Sequence, residues 1–242
     1  CSNSFCILLC ESYFLMKLTK ILLFLFLFQI HDAHLDAYLD YKSPFHPTIS
    51  ENGMVVSQNL ESSEIGTMIL ESGGNAVDAA VAVGFSLTTT LPRAGNIGGG
   101  GFMLIYIKET EELFSIDYRS RSSLNSNLKD LFGSKSPAQI QDDDYDLTKY
   151  DYKASAVPGT VYGLLEAHER FGDLPLEKVL QPVIDQARNG IIVSYDLHNA
   201  IGSSYQLKKD PESRKIYFQN NKPIPIGSLM KRPDLAKTFE AI

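Results

Sequence analysis

Arg119 is the residue of this chain whose type and position best suit ligand chemistry. It follows Asp117 and Tyr118 at the end of a near-apolar stretch, where a buried carboxylate could meet it. A guanidinium binds a carboxylate through two parallel hydrogen bonds that a lysine cannot reproduce. The residues alone leave two interpretations open, a carboxylate-binding arginine and an arginine in a surface ion pair.

Metal and thiol chemistry have less support. The five histidines show no H-x-x-H or H-E-x-x-H spacing, so we expect no metal site. All three cysteines precede Met16, so no thiol nucleophile is expected. Residues 88–90 are threonines that precede Leu91 and Pro92, which favours a helix end over a nucleophile cluster. Residues 142–146 lack the glycine and glutamate of a calcium loop, and we interpret them as a solvated acidic loop.

Residues 98–101 are four consecutive glycines between two apolar segments. Nucleotide-binding loops run from strand through glycines to helix. Here the predicted helix comes first and the strand last, which argues against nucleotide binding. A flexible linker is an alternative, although linkers usually mix glycine with serine or charged residues. We predict a tight bend with positive φ, where the backbone approaches another backbone or a ligand.

The elements that must position these residues begin with a strand at residues 54–57 and a helix at 62–72. Gly73 ends that helix, and Asn75 caps the next one. The next helix consists of alanines and valines, so it has little side-chain bulk and should be buried against other layers.

A hairpin of residues 102–107 and 113–118 follows the glycines. Its first arm is almost continuously apolar, which is typical of a central strand covered on both faces. Further helices are predicted from Val157-Pro-Gly159 to Arg170, at residues 176–189, from Ser194 toward Lys209, and from Pro233 to beyond Ile242.

Six segments carry a family resemblance: residues 53–57, 73–84, 92–103, 117–119, 157–160 and 182–190. In order and spacing they resemble the amino-terminal part of a gamma-glutamyltranspeptidase, across roughly residues 50 to 242. Because several motifs agree, the resemblance is specific.

The resemblance implies an α+β fold, a four-layer αββα sandwich of the N-terminal-nucleophile hydrolase class. It implies a precursor that cuts itself into a large and a small subunit, and no cofactor. The small subunit's first threonine would attack glutathione or another γ-glutamyl compound. Water or an acceptor amino acid or dipeptide would resolve the γ-glutamyl-enzyme. That threonine is not among these 242 residues, so no catalytic residue is assigned and the chain alone is expected to be inactive.

The resemblance also favours carboxylate binding by Arg119. In the family, an Asp-x-Arg motif after the second strand supplies the arginine that grips the α-carboxylate of the γ-glutamyl group. Residues 117–119 match this motif. The family usually continues with Glu and Ala-Pro, whereas residues 120–123 are Ser-Arg-Ser-Ser. Arg121 is therefore an alternative ligand-binding residue, and the pocket for the amino group differs from the family pattern.

The beginning of the chain predicts export. We interpret residues 1–15 as upstream, non-native sequence, residues 16–33 as a signal peptide, and residues 35–242 as the amino-terminal part of the large subunit, truncated at its carboxyl end. The apolar run 21–30 is shorter than the roughly 20 residues that span a bilayer. We therefore expect a periplasmic or secreted protein, with a short membrane anchor as the alternative.

The net charge of the chain limits the kinds of molecule that we expect it to bind. The chain carries a net charge of -7 and no basic stripe, so nucleic acid is not an expected partner. Two other functions stay open: a related acylase of the same fold acting on a glutaryl or poly-γ-glutamyl substrate, and a non-catalytic periplasmic binding protein.

Overall fold

The structure, a computed structural model, describes residues 49–141 and 152–242. Three predicted segments, residues 1–15, 16–33 and 142–146, lie outside the described residues. Asn52–Ile242 form one unit of packed elements. Within the described ranges, no helix has both the length and the apolar character needed to cross a membrane.

The described chain contains both helices and short strands. The helices are α1 Leu60–Glu71, α2 Ala76–Thr90, α3 Leu128–Phe132, α4 Thr160–Phe171, α5 Leu176–Asn189, α6 Tyr195–Ser203, α7 Tyr205–Lys209, α8 Pro211–Tyr217 and α9 Pro233–Glu240. Short 3-10 turns occupy Pro137–Gln139 and Tyr152–Ala154. The strands are β1 Phe102–Ile107, β2 Glu112–Asp117, β3 Ile191–Ile192, β4 Phe218–Gln219, β5 Lys222–Pro223 and β6 Leu229–Met230. They pair antiparallel as β1 with β2, β3 with β6, and β4 with β5.

Helix α2 lies at the centre of the main core and packs against α1, α4 and α5. The Asn75 side chain accepts hydrogen bonds from the backbone N–H groups of Val77 and Asp78, at 2.8 and 3.0 Å. The Asp78 carboxylate in turn accepts the Asn75 N–H at 2.9 Å, so the predicted cap is a complete capping box. Phe85 is fully buried, and the threonines at 88–90 are buried in the last turn of α2. The predictions of a buried helix and of a helix end at these threonines are confirmed.

The β1–β2 hairpin covers one side of this core. Its inner face buries Ile105 and Ile116, and the Phe114 ring lies 4.9 Å from that of Phe171 at the end of α4. The outer face carries four large apolar side chains that are 61–74% exposed: Phe102, Leu104, Tyr106 and Leu113. The prediction of a strand covered on both faces is therefore wrong for the described residues, because helices pack against the inner face alone.

Several predicted boundaries also differ. Residues 54–57 form no strand, since no described segment pairs with them and a strand requires a ladder partner. Helix α1 begins two residues early, at Leu60. The helix predicted from Ser194 toward Lys209 breaks where Ser204 caps α7. The last helix ends at Glu240, before Ile242, whereas it was predicted to run through that residue. The hairpin and the helix at 176–189 agree with the prediction.

A second, smaller apolar cluster lies among α6, α8, β3 and β6. Its buried residues are Ile191, Val193, Leu197, Ile201, Tyr217 and Met230. Arg93, which follows α2, donates to both carboxylate oxygens of Asp196 on α6 at 2.9 Å. This exposed ion pair links the loop after α2 to the second cluster.

Candidate functional site

The backbone of Arg119 is fixed from both sides. Tyr118 and Gly101 exchange two backbone hydrogen bonds, at 3.1 and 3.4 Å, which extend the hairpin ladder by one pair beyond β2. The Arg119 N–H donates to the Asp117 carboxylate at 3.0 Å. On the other side, Arg121 and Val157 exchange a second pair, at 3.1 and 2.7 Å. The chain therefore holds this arginine at a defined place, just beyond the end of β2.

The glycine loop lies between the end of the hairpin and the start of α4. The carbonyl oxygen of Gly99 accepts hydrogen bonds from the N–H groups of Gly159 and Thr160, at 2.8 and 3.2 Å. The predicted close approach of this loop to another backbone is confirmed. The predicted positive φ is wrong, since no glycine of residues 98–101 has one. Gly100 and Gly101 exclude a side chain because a Cβ there would lie 2.8 Å or less from its nearest neighbour, whereas a Cβ at Gly98 or Gly99 would meet no atom closer than 3.3 Å.

Four glycines surround Tyr118, and we call them the glycine socket: Gly100, Gly101, Gly159 and Gly163. A Cβ at Gly100 would lie 2.6 Å from the Tyr118 carbonyl oxygen, and one at Gly101 would lie 2.8 Å from its ring. A Cβ at Gly159 would overlap the same carbonyl oxygen, and one at Gly163 would overlap the first atoms of the side chain. The glycine loop and α4 thus both touch the residue that precedes Arg119.

The Tyr118 side chain is half-buried in this socket. Burial raises the pKa of its phenol. Its ring also lines a cavity of about 590 Å³ together with Met103, Leu164 and the small residues of α2. Tyr118 therefore has packed glycines on one side and open space on the other.

Within the described ranges, the two arginines of the loop have guanidinium groups without a partner. The side chains of Arg119 and Arg121 are exposed, and neither makes an ion pair or a hydrogen bond with any residue in 49–141 or 152–242. Arg93 differs, because its guanidinium is already paired with Asp196. A carboxylate ligand at Arg119 would displace no partner that lies among the described residues. Its role in binding is not tested by this geometry and stays a prediction.

Across the described ranges, no group of three or more His, Cys, Asp or Glu side chains is placed to hold a metal ion.

Sequence reasoning missed the contribution of α4 to this site. Residues 157–160 were noted only as a helix start and for their resemblance, and Gly163 was not singled out. A glycine inside a helical pattern lowers helix stability and often has a packing reason. Gly163 carried that signal, but its partner Tyr118 is 45 positions earlier, a separation that helical periodicity cannot reveal.

Comparison with known proteins gives a consistent result. A family model described as "Gamma-glutamyltranspeptidase" matches residues 62–242. The "Glutathione hydrolase proenzyme" of Escherichia coli strain K12 is 38% identical over 200 residues, which cover 82% of this chain and 33% of that protein. The "Acylase ACY 1 proenzyme" of Pseudomonas sp. strain SE83 is 32% identical over 209 residues, covering 84% of this chain and 37% of that protein.

Solved structures agree with the sequence matches. The structure of Helicobacter pylori gamma-glutamyltranspeptidase superposes with a TM-score of 0.73 at 32% identity, covering 81% of this chain and 55% of that one. The chain spans about a third of the length of the curated relatives it matches.

Proposed function

This chain belongs to the gamma-glutamyltranspeptidase family, and from this premise we propose that it is the amino-terminal part of the large subunit of a γ-glutamyltransferase and glutathione hydrolase. The substrate is glutathione or another γ-glutamyl compound. A threonine hydroxyl of the small subunit attacks the γ-carbonyl carbon, its own amino group takes the proton, and the leaving amine receives that proton. Water or an acceptor amino acid or dipeptide then releases the γ-glutamyl group.

The observation that carries this proposal is Arg119, whose backbone is hydrogen-bonded on both sides while its guanidinium is exposed and unpaired within the described ranges. A substrate carboxylate can accept two parallel hydrogen bonds from such a group. We assign to Arg119 the binding of the α-carboxylate of the γ-glutamyl group. Arg121, two residues further, is the alternative.

We also propose that the chain pairs with a small subunit from the same precursor within a four-layer αββα sandwich. The β1–β2 hairpin supports this part of the proposal. The outer face of β1 and β2 exposes Phe102, Leu104, Tyr106 and Leu113. Apolar faces of this kind are usually covered by another layer in a complete protein. The 200 residues matched in the Escherichia coli relative are 33% of that protein, and we place the small subunit in the part of the precursor that this chain does not cover. Export to the periplasm or medium belongs to the same proposal.

A related acylase is the second candidate, and two observations favour it. The Pseudomonas acylase proenzyme matches the same part of the chain. Residues 120–123 also depart from the family pattern beside Arg119, where the amino group of a γ-glutamyl substrate would be bound. A glutaryl group retains the carboxylate and lacks that amino group, so an altered amino-group pocket would suit it.

The test uses the full-length precursor and two anilides, γ-glutamyl and glutaryl, which differ only in the α-amino group. We expect self-cleavage and faster release of aniline from the γ-glutamyl compound. Faster release from the glutaryl compound would make the protein an acylase. Absence of both self-cleavage and turnover would support a non-catalytic binding protein.

The present chain without its predicted signal peptide supplies a control for the same assay. Residues 35–242 expressed alone should not hydrolyse the γ-glutamyl anilide, because the nucleophile and its base must share one site. Turnover above the buffer blank would contradict the placement of the nucleophile in the small subunit.

A further inference from the structure

The residue beside Arg119 is packed far more tightly than Arg119 itself. A Cβ added at any glycine of the glycine socket would lie 2.8 Å or less from an atom of Tyr118. Real Cβ atoms do not come this close to other atoms. The socket glycines come from two different segments, the loop before β1 and the start of α4. The socket glycines therefore restrict both the carbonyl oxygen and the side chain of Tyr118.

We propose that Tyr118 is a positioning residue for substrate binding: the glycine socket clamps Tyr118 and so sets the direction in which the Arg119 guanidinium points. This inference rests on the proposed role of Arg119 in holding the α-carboxylate. Tyr118 touches no reacting atom in the proposal and acts only through its neighbour.

The orientation of the Arg119 side chain depends on its own backbone. Its guanidinium has no ion pair or hydrogen-bond partner among the described residues, so none of those residues orients it before substrate arrives. Its direction therefore depends on the backbone at residues 118–119. A two-bond guanidinium–carboxylate contact is sensitive to that direction, because a misplacement of about 1 Å can cost on the order of a hundredfold in rate.

Gly163→Ala is the most direct perturbation. The new methyl would overlap the Cβ, Cγ and Cδ1 atoms of Tyr118, which must shift away from α4. The cavity of about 590 Å³ beside the ring gives it room to do so. Gly202→Ala is the matched control, since Gly202 is also helical and a Cβ there meets only Pro223, at 3.4 Å.

The experiment uses the full-length precursor and two substrates that differ only in the α-carboxylate, γ-glutamyl anilide and 4-aminobutyryl anilide. We expect Gly163→Ala to lower the ratio of the two kcat/KM values by about tenfold to a hundredfold, mainly through a higher KM for the γ-glutamyl compound. The extent of self-cleavage, which needs no substrate carboxylate, should match that of Gly202→Ala.

A second pair of variants covers the case in which Gly163→Ala does not fold. Tyr118→Leu keeps the backbone but removes the ring, and should lower the same ratio. Tyr118→Phe keeps the ring and should restore the ratio to the wild-type value. An equal loss on both substrates in Tyr118→Leu would show a general packing defect and would overturn the positioning role.

Arg119→Lys separates this inference from the proposed function. If Arg119→Lys lowers the ratio but neither Gly163→Ala nor Tyr118→Leu does, Tyr118 does not position the arginine. If Arg119→Lys itself leaves the ratio unchanged, the role of Arg119 is wrong, whatever the socket variants do. In the supporting case, Gly163→Ala combined with Arg119→Lys should lose less than the product of the single effects, because both act on one contact.

Discussion

Asp78 is the side chain on which the start of α2 depends, and its replacement by alanine should destabilise the fold strongly. The carboxylate is fully buried. One of its oxygens accepts three backbone N–H groups, from Asn75 at 2.9 Å, Asp173 at 3.1 Å and Leu174 at 3.2 Å. These bonds tie the first turn of α2 to the connection between α4 and α5.

The magnitude follows from the three bonds. A hydrogen bond to a charged group contributes roughly 1.5 kcal/mol at the low end of the usual range, so three contribute about 4 to 5 kcal/mol. Asp173 is exposed, so water can replace the carboxylate at its N–H and recover part of the loss. We expect Asp78→Ala to lower the free energy of unfolding by about 3 kcal/mol, a large share of the roughly 5 to 15 kcal/mol of a typical domain.

The assay is urea unfolding of the chain followed by circular dichroism, with the free energy extrapolated to water. Asp234→Ala is the matched control, because Asp234 also lies in the first turn of a helix but its side chain is 95% exposed. It should change the free energy by less than about 0.5 kcal/mol. A loss in Asp78→Ala no larger than in Asp234→Ala would refute the reasoning from the three bonds.

Three further predictions concern binding, pH and export. In the full-length enzyme, Arg119→Lys should lower kcat/KM for a γ-glutamyl anilide by roughly 10- to 150-fold, because one charged hydrogen-bond contact is lost. Self-cleavage should stay intact. If Arg119→Lys changes kcat/KM by less than twofold and Arg121→Lys abolishes activity instead, Arg121 has the binding role. Because burial raises the pKa of Tyr118, the stability that this group contributes is complete below the unfolded pKa of about 10 and is lost as pH rises through the native pKa. Unfolding midpoints measured from about pH 9 to about pH 11 should therefore fall less steeply in Tyr118→Phe than in the wild type, and parallel curves would contradict this. Mass spectrometry of the secreted protein should find an amino terminus near His34; retention of residues 21–30 would identify an anchor.

Local signals in the sequence were enough to predict most of the helices and the hairpin. Asn75 can cap a helix with its own side chain, and Gly73 and Gly190 adopt the positive φ that ends one, so these boundaries depend on neighbouring residues only. The position of Arg119 just after a strand could be predicted for the same reason. The break at Ser204 was missed because the apolar pattern continues through it, while the serine side chain caps a new helix.

The tertiary structure decided which segments meet. The glycines of residues 98–101 predicted a close approach, but only the fold brings Gly159 and Gly163 against Tyr118, the residue that precedes Arg119. The apolar run of β1 predicted two covered faces, whereas helices cover one and Leu104 is exposed on the other. The physical reason is the same in both cases. The size and polarity of a side chain indicate which surroundings it favours. Contacts between distant segments determine which atoms form those surroundings.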